Sequence, residues 1–158
     1  MAEIVQLLAS GVHRYEGRPK DGPAPAPEGE LVEAIVLRAG LGVVGDRYFG
    51  KQAHKDASVT VIAREGLPAG ADLRQTRRNI LVAGIEVDEL VGAVLSLDSG
   101  DGAVRLSVRR RANPCAWMEE TIGPGAFKAL RGKGGIRCVP LDDGTLRLGP
   151  VKVEITRE

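Results

Sequence analysis

The chain has 158 residues, 43% of them hydrophobic and 27% charged, so one sizeable core and a single domain over residues 1–158 are expected. A net charge of +1 and 3% aromatic residues argue against a nucleic-acid surface. No apolar run approaches the roughly 18 residues that span a bilayer, and no basic stretch precedes an apolar core at the start, so no membrane role and a cytoplasmic location are expected.

Residues 4–8 form a short apolar run, read as the first strand. Residues 10–30 carry Pro19, Pro23, Pro25 and Pro27 and can hold neither a ladder nor a helix. They read as a long extended connection, or a lid. Residues 31–37 return to strand. Gly40, Gly42, Gly45 and Gly50 then signal tight turns. Among them, Asp46 and Arg47 either pair with each other or face a ligand. His54 lies in a polar stretch and reads as solvent-exposed. Residues 58–62 are rich in β-branched side chains and read as strand, and 63–67 as the start of a short helix. Arg77-Arg78-Asn79 stands at the entrance to a strand over 80–85. It can present cations and an amide to an anion, or form a solvated charged edge.

Residues 91–97 are a strand and 98–102 a hairpin turn. In residues 103–109, Val104, Leu106 and Val108 alternate with Arg105, Ser107 and Arg109, the pattern of a half-buried strand. It runs into Arg109-Arg110-Arg111-Ala112-Asn113-Pro114-Cys115. Asn113 suits an N-cap and Pro114 the first helical position, which places Cys115 in the first turn. There the helix end and the nearby arginines favour a thiolate. The alternative is a small buried hydrophobe. Cys138 is the second cysteine, and two reduced thiols are expected. With only His13 and His54 besides, no zinc spacing arises. Residues 116–121 and 126–130 read as helical, and 131–135 as a basic glycine-rich loop that could approach an anion. Strands over 136–141, 145–148 and 151–156 close the chain. The whole is mainly β: about eight strands with two or three short helices, in a closed or nearly closed β-barrel that hides its edges.

The order and spacing of Val44-Gly45-Asp46-Arg47, Arg77-Arg78-Asn79-Ile80-Leu81-Val82-Ala83-Gly84-Ile85, Leu90-Val91-Gly92, Asn113-Pro114-Cys115 and Arg131-Gly132-Lys133-Gly134-Gly135 resemble the molybdenum cofactor sulfurase C-terminal (MOSC) family, in its small stand-alone bacterial form. The resemblance implies a β-barrel with the proline-cysteine segment at its mouth. It implies a molybdenum cofactor of the molybdopterin type, with Cys115 as metal ligand and catalytic residue. Arg78, Asn79, Arg109 and Arg111 are the candidates to hold the cofactor's anionic groups, with Asp46 and His54 beside them. The activity implied is reduction of N-hydroxylated or N-oxygenated small molecules, with electrons from a separate reductase. A sulfur carrier loaded on Cys115 by a sulfur donor, or a cofactor-delivery module, is the alternative. The turn at 98–102 is less regular than in most relatives, and nothing in the chain supports pyridoxal phosphate.

Overall fold

The structure, a computed structural model, describes residues 1–157. Two adjacent strands, β5 (Val59–Ala63) and β6 (Ile80–Ala83), are buried at every position and pair in parallel, Val61 opposite Ile80. Burial on both faces is what continuous β-branched and aliphatic runs favour. The other pairings are antiparallel. β1 (Glu3–Leu8) lies beside β6, with β2 (Leu31–Val32) paired to its end. On the other side come β9 (Ile136–Pro140), β8 (Ala103–Arg111), β7 (Val94–Asp98) and β12 (Lys152–Thr156). The two-residue β11 (Gly149–Pro150) pairs with β1. A smaller sheet joins β3 (Ala34–Arg38), β4 (Gly42–Val43) and β10 (Gly144–Arg147).

The larger sheet begins at β11 and ends at β12, which only Val151 separates in the chain. The closing segment therefore meets β1 with its first residues and β7 with its last. Its Val151 N–H donates to Ala2 O at 3.2 Å. A mainly β chain with three short helices is what forms; among the described residues no ladder closes it into a barrel. The pairings show a large mixed sheet whose closing segment pairs with β1 through Gly149 and Pro150 and with β7 through Lys152–Thr156.

The alternation expected in β8 holds: Val104, Leu106 and Val108 are buried, while Arg105 and Arg109 are exposed. These three join Ile4, Leu7, Val61, Ile80, Val82, Leu95, Leu97 and Ile136 in the main core, to which Ile35, Leu37 and Leu146 of the smaller sheet also belong. A second cluster of Leu8, Ile62, Leu73 and Leu81 lies under α1 (Leu73–Thr76). Next to α1 stands α2 (Ala116–Ile122), and next to α2 stands α3 (Ala126–Ala129).

The expected strand over 31–37 is broken at Glu33, and the expected helix over 63–67 is a 3-10 turn, Arg64–Gly66. α1 is an addition to the expected elements. Its signal was present as Asp72-Leu73-Arg74-Gln75: the Asp72 carboxylate accepts the Arg74 N–H, and the Gln75 side chain accepts the Asp72 N–H. No helix of the described residues is long and apolar enough to cross a membrane.

Candidate functional site

Strand β8 ends at Arg111, and the next residues are pinned rather than free. Ala112 N–H donates to Gly135 O at 2.8 Å. Arg78 reaches across from the end of α1, donating from Nε to Gly134 O at 3.0 Å and from Nη2 to Asn113 O at 3.1 Å. The fit requires glycine on the far side. A Cβ on Gly134 would collide with the Ala112 carbonyl oxygen, and one on Gly135, at φ +94°, with that of Val61. The loop expected to cradle an anion is instead a clamp on the cysteine segment, with Gly135 N–H donating to Asp88 Oδ1 at 3.0 Å.

Cys115 emerges from this clamp in an extended conformation (φ −132°, ψ 169°) and is itself the N-cap of α2. The helix starts two residues later than Asn113 and Pro114 suggested. The Arg78 bond to the Asn113 carbonyl and the packing of 112–114 against Gly134 hold those residues out of helix. Cys115 is half-buried and free, as is the fully buried Cys138, whose thiol burial pushes well above its usual range.

Cys115 faces a cleft of about 230 Å³ into which Arg47, Arg77, Arg78 and Arg137 also project. Among the described residues no carboxylate lines it. Arg78 is 7% exposed, and burial, reinforced by Arg137, pushes its guanidinium down to about 10. Arg77 is held in the left-handed region (φ 61°) and bonds Glu30 Oε1 from Nη1 at 2.6 Å. Arg47 bonds Asp46 Oδ1 at 3.2 Å and the Arg77 carbonyl at 2.9 Å, and lies over the Tyr48 ring at 4.5 Å. Arg137, on β9, is half-buried; burial holds its pKa below the ordinary arginine value, and Arg110 and Arg47 act in the same direction.

The 10–30 segment forms one wall. Tyr15 stacks on Trp117 with ring centres 5.0 Å apart and planes 3° from parallel. Its hydroxyl bonds the Gln75 carbonyl and lies 3.2 Å from Thr121 Oγ1. Burial raises the Tyr15 pKa. His13 reaches Tyr48 edge-on. The glutamate at the segment's end anchors it through the Arg77 pair.

Of the sequence candidates, Cys115 and Arg78 share the cleft. Asn79 lies beneath it as a staple: its Oδ1 accepts the Thr60 N–H at 3.0 Å and its Nδ2 donates to Leu8 O at 3.1 Å, tying β1, β5 and β6. Asp46 is buried and spent on the Ser10 N–H at 3.1 Å and on Arg47, the pairing alternative. His54 packs against Tyr48 with ring centres 4.4 Å apart, and burial followed by Arg137 and His13 holds its pKa below the usual value. Arg109 lines a separate hollow with Arg110 and Lys55. Arg111 turns outward, bonding Asp88 O at 2.9 Å and Glu89 Oε1 at 3.1 Å. The reason lies in β8: register against β9 shifts between Val108 and Arg110, so Arg109 drops out of the pairing and Arg110 comes opposite Arg137. Arg137, Arg14, Tyr15 and His13 are among the cleft residues that sequence reasoning missed. Arg137 alternates within a strand whose neighbours are unknown before folding.

No family model matches the chain, and no curated protein matches it. Solved structures do. The YUAD protein from Bacillus subtilis is 16% identical, superposes with a TM-score of 0.73, and is matched over 99% of this chain and 96% of its own. YiiM from Geobacillus stearothermophilus is 16% identical with a TM-score of 0.60, over 98% of this chain and 75% of that one. YiiM from Escherichia coli is 15% identical with a TM-score of 0.58, over 99% and 71%. These matches support a MOSC-like fold. At such identity the likeness is one of fold alone, so the chemistry of the cleft rests on its own residues.

Proposed function

We propose that the chain is a MOSC-type protein whose Cys115 cleft holds a molybdenum cofactor and reduces N-oxygenated small molecules with electrons from a separate reductase. The observation that carries this reading is the donor set. The cleft offers one thiol and several guanidinium groups, and the described residues contain no cluster of three His, Cys, Asp or Glu able to hold a bare metal ion. A metal must then arrive already chelated, leaving a single soft position for the protein, and a thiolate is the side chain that suits it. The cofactor, when bound, would supply the two-electron chemistry.

The chain's own residues supply the rest. Arg78 ties the backbone just before Cys115 to the Gly134 loop and keeps a cation at the floor of the cleft. Arg47 and Arg77 add positive charge to balance an anionic group. The Tyr15–Trp117 stack shields one side from water. A cleft of about 230 Å³ takes the reactive end of such a ligand and leaves the remainder along the open mouth. Purification from a cofactor-competent host tests the reading. Molybdenum should co-purify with the wild type and be lost from Cys115→Ser; metal at background in both ends it.

A second reading, a persulfide carrier, is favoured by the isolation of Cys115. The other thiol, Cys138, is fully buried, so no accessible partner exists to resolve a persulfide into a disulfide. Intact-mass measurement of protein free of metal separates the two: one added sulfur atom on Cys115 supports the carrier.

A further inference from the structure

Each arginine around Cys115 except one is engaged by the protein. Arg14 has the Ala24 and Arg74 carbonyls, Arg77 has Glu30, Arg47 has Asp46 and the Arg77 carbonyl, and Arg78 has the Gly134 and Asn113 carbonyls. Arg137 has no hydrogen bond and no ion pair with any described residue, although it is half-buried. Strand pairing holds it there: its backbone lies opposite Thr60 on β5 and Arg110 on β8. Desolvating a guanidinium beside other cations costs free energy, and no hydrogen bond or ion pair to a described residue offsets it. Arg78 also keeps Nη1 without an acceptor among the described residues, on a side chain 7% exposed that lines the same cleft. Two sets of unclaimed N–H donors thus converge on a cationic space with no carboxylate in its walls.

We propose that Arg137 is the residue that selects the ligand's charge at Cys115, receiving together with Arg78 Nη1 the oxygen atoms of a compact oxyanion. A planar guanidinium matches the paired oxygens of a carboxylate, sulfate or phosphate, and a dry, cation-lined space strengthens such bonds. The assignment rests on the cleft being the functional site but not on molybdenum. The oxyanion is either free or part of a larger ligand, and both make the same contacts.

Alkylation of Cys115 reads this out without any cofactor. The thiolate displaces iodide from iodoacetate, which carries a carboxylate, or from neutral iodoacetamide; the buried Cys138 stays silent. Wild-type protein should favour iodoacetate over iodoacetamide more than free cysteine does. Arg137→Gln should lower the iodoacetate rate about tenfold, the effect of one charge-assisted contact, and leave the iodoacetamide rate within about twofold. Arg137→Lys should recover part of the preference. Inorganic sulfate should protect wild-type Cys115 from iodoacetate at constant ionic strength, and protect Arg137→Gln far less. An unchanged rate ratio in folded Arg137→Gln overturns the assignment. Should that variant not fold, absence of sulfate protection in the wild type does so. Protection by sulfate but not by a phosphate monoester would mark a free ion as the ligand; protection by both would admit a phosphate borne on a larger molecule. Absence of the charge preference in metal-free protein that still takes up molybdenum would sink this inference alone; its persistence in a protein that never binds molybdenum would sink the cofactor reading alone.

Discussion

Arg77 and Glu30 show how single side chains fix the wall of the cleft. Both are almost completely buried, at 4% and 6% side-chain exposure, and Glu30 Oε2 finds no hydrogen bond at all. A buried pair contributes little net stability, but removing one member strands the other's charge, at a cost of about 3–5 kcal/mol. Arg77→Met should therefore lower unfolding stability by about that amount, measured in urea. The left-handed backbone at Arg77 is as strained for methionine as for arginine, so strain does not enter the difference. The double variant Arg77→Met/Glu30→Leu should regain most of the loss, since apolar replacements often equal a buried pair. If the double variant is no more stable than the single one, burial of the carboxylate is not the cause. Of these residues the sequence showed the cations but not their partners. Arg77 and Arg78 are adjacent letters, yet one turns to Glu30, 47 positions away, and the other to Gly134, 56 away. Side-chain destinations at such separations are decided by the fold.

Elements were more legible than contacts, because hydrophobic period is local. β5, β8 and β9 stand where alternation or β-branched runs put them. The start of α2 was misplaced by two residues, since propensities at Asn113 and Pro114 yield to the Arg78 and Gly134 clamp. The join between α2 and α3 depends on Glu119, whose carboxylate accepts the Gly125 N–H at 2.7 Å and the Phe127 N–H at 2.8 Å. The Phe127 bond first and the Gly125 bond next hold its pKa below the usual glutamate value. A group with a depressed folded pKa adds stability above its unfolded value and loses it as pH falls through the folded one. Glu119→Gln should thus weaken α2–α3 at neutral pH and narrow the difference from wild type below about pH 4.5. Amide exchange at Gly125 and Phe127 measures this. Equal protection in both proteins at neutral pH would remove Glu119 from the account.

At the scale of the whole molecule, the expected barrel turns on how the chain's last strand is bonded, and that can be measured. In register, β12 faces β7 from Lys152 opposite Asp98 to Thr156 opposite Val94, and pairs with no other strand among the described residues. An edge strand donates only alternate N–H groups to its neighbour; the rest point to solvent. Proline substituted at successive positions from 152 to 156 should then alternate in effect. Positions whose N–H bonds β7 should lose about 1 kcal/mol, the net worth of one ladder hydrogen bond, and the intervening ones should be nearly neutral. Ile155, at 46% exposure, and Glu154 are fair neighbours to compare, because neither contributes much to the core. In a closed barrel the strand would be bonded on both sides, and every proline would cost. Uniform loss across the five positions would show β12 bonded on both sides along its length; alternation would show it bonded to β7 alone, with Val151 as the point where the chain passes from one edge to the other. The sequence could not decide between them, since alternation along 151–156 reports which face is buried and says nothing of whether one edge or two carry a partner.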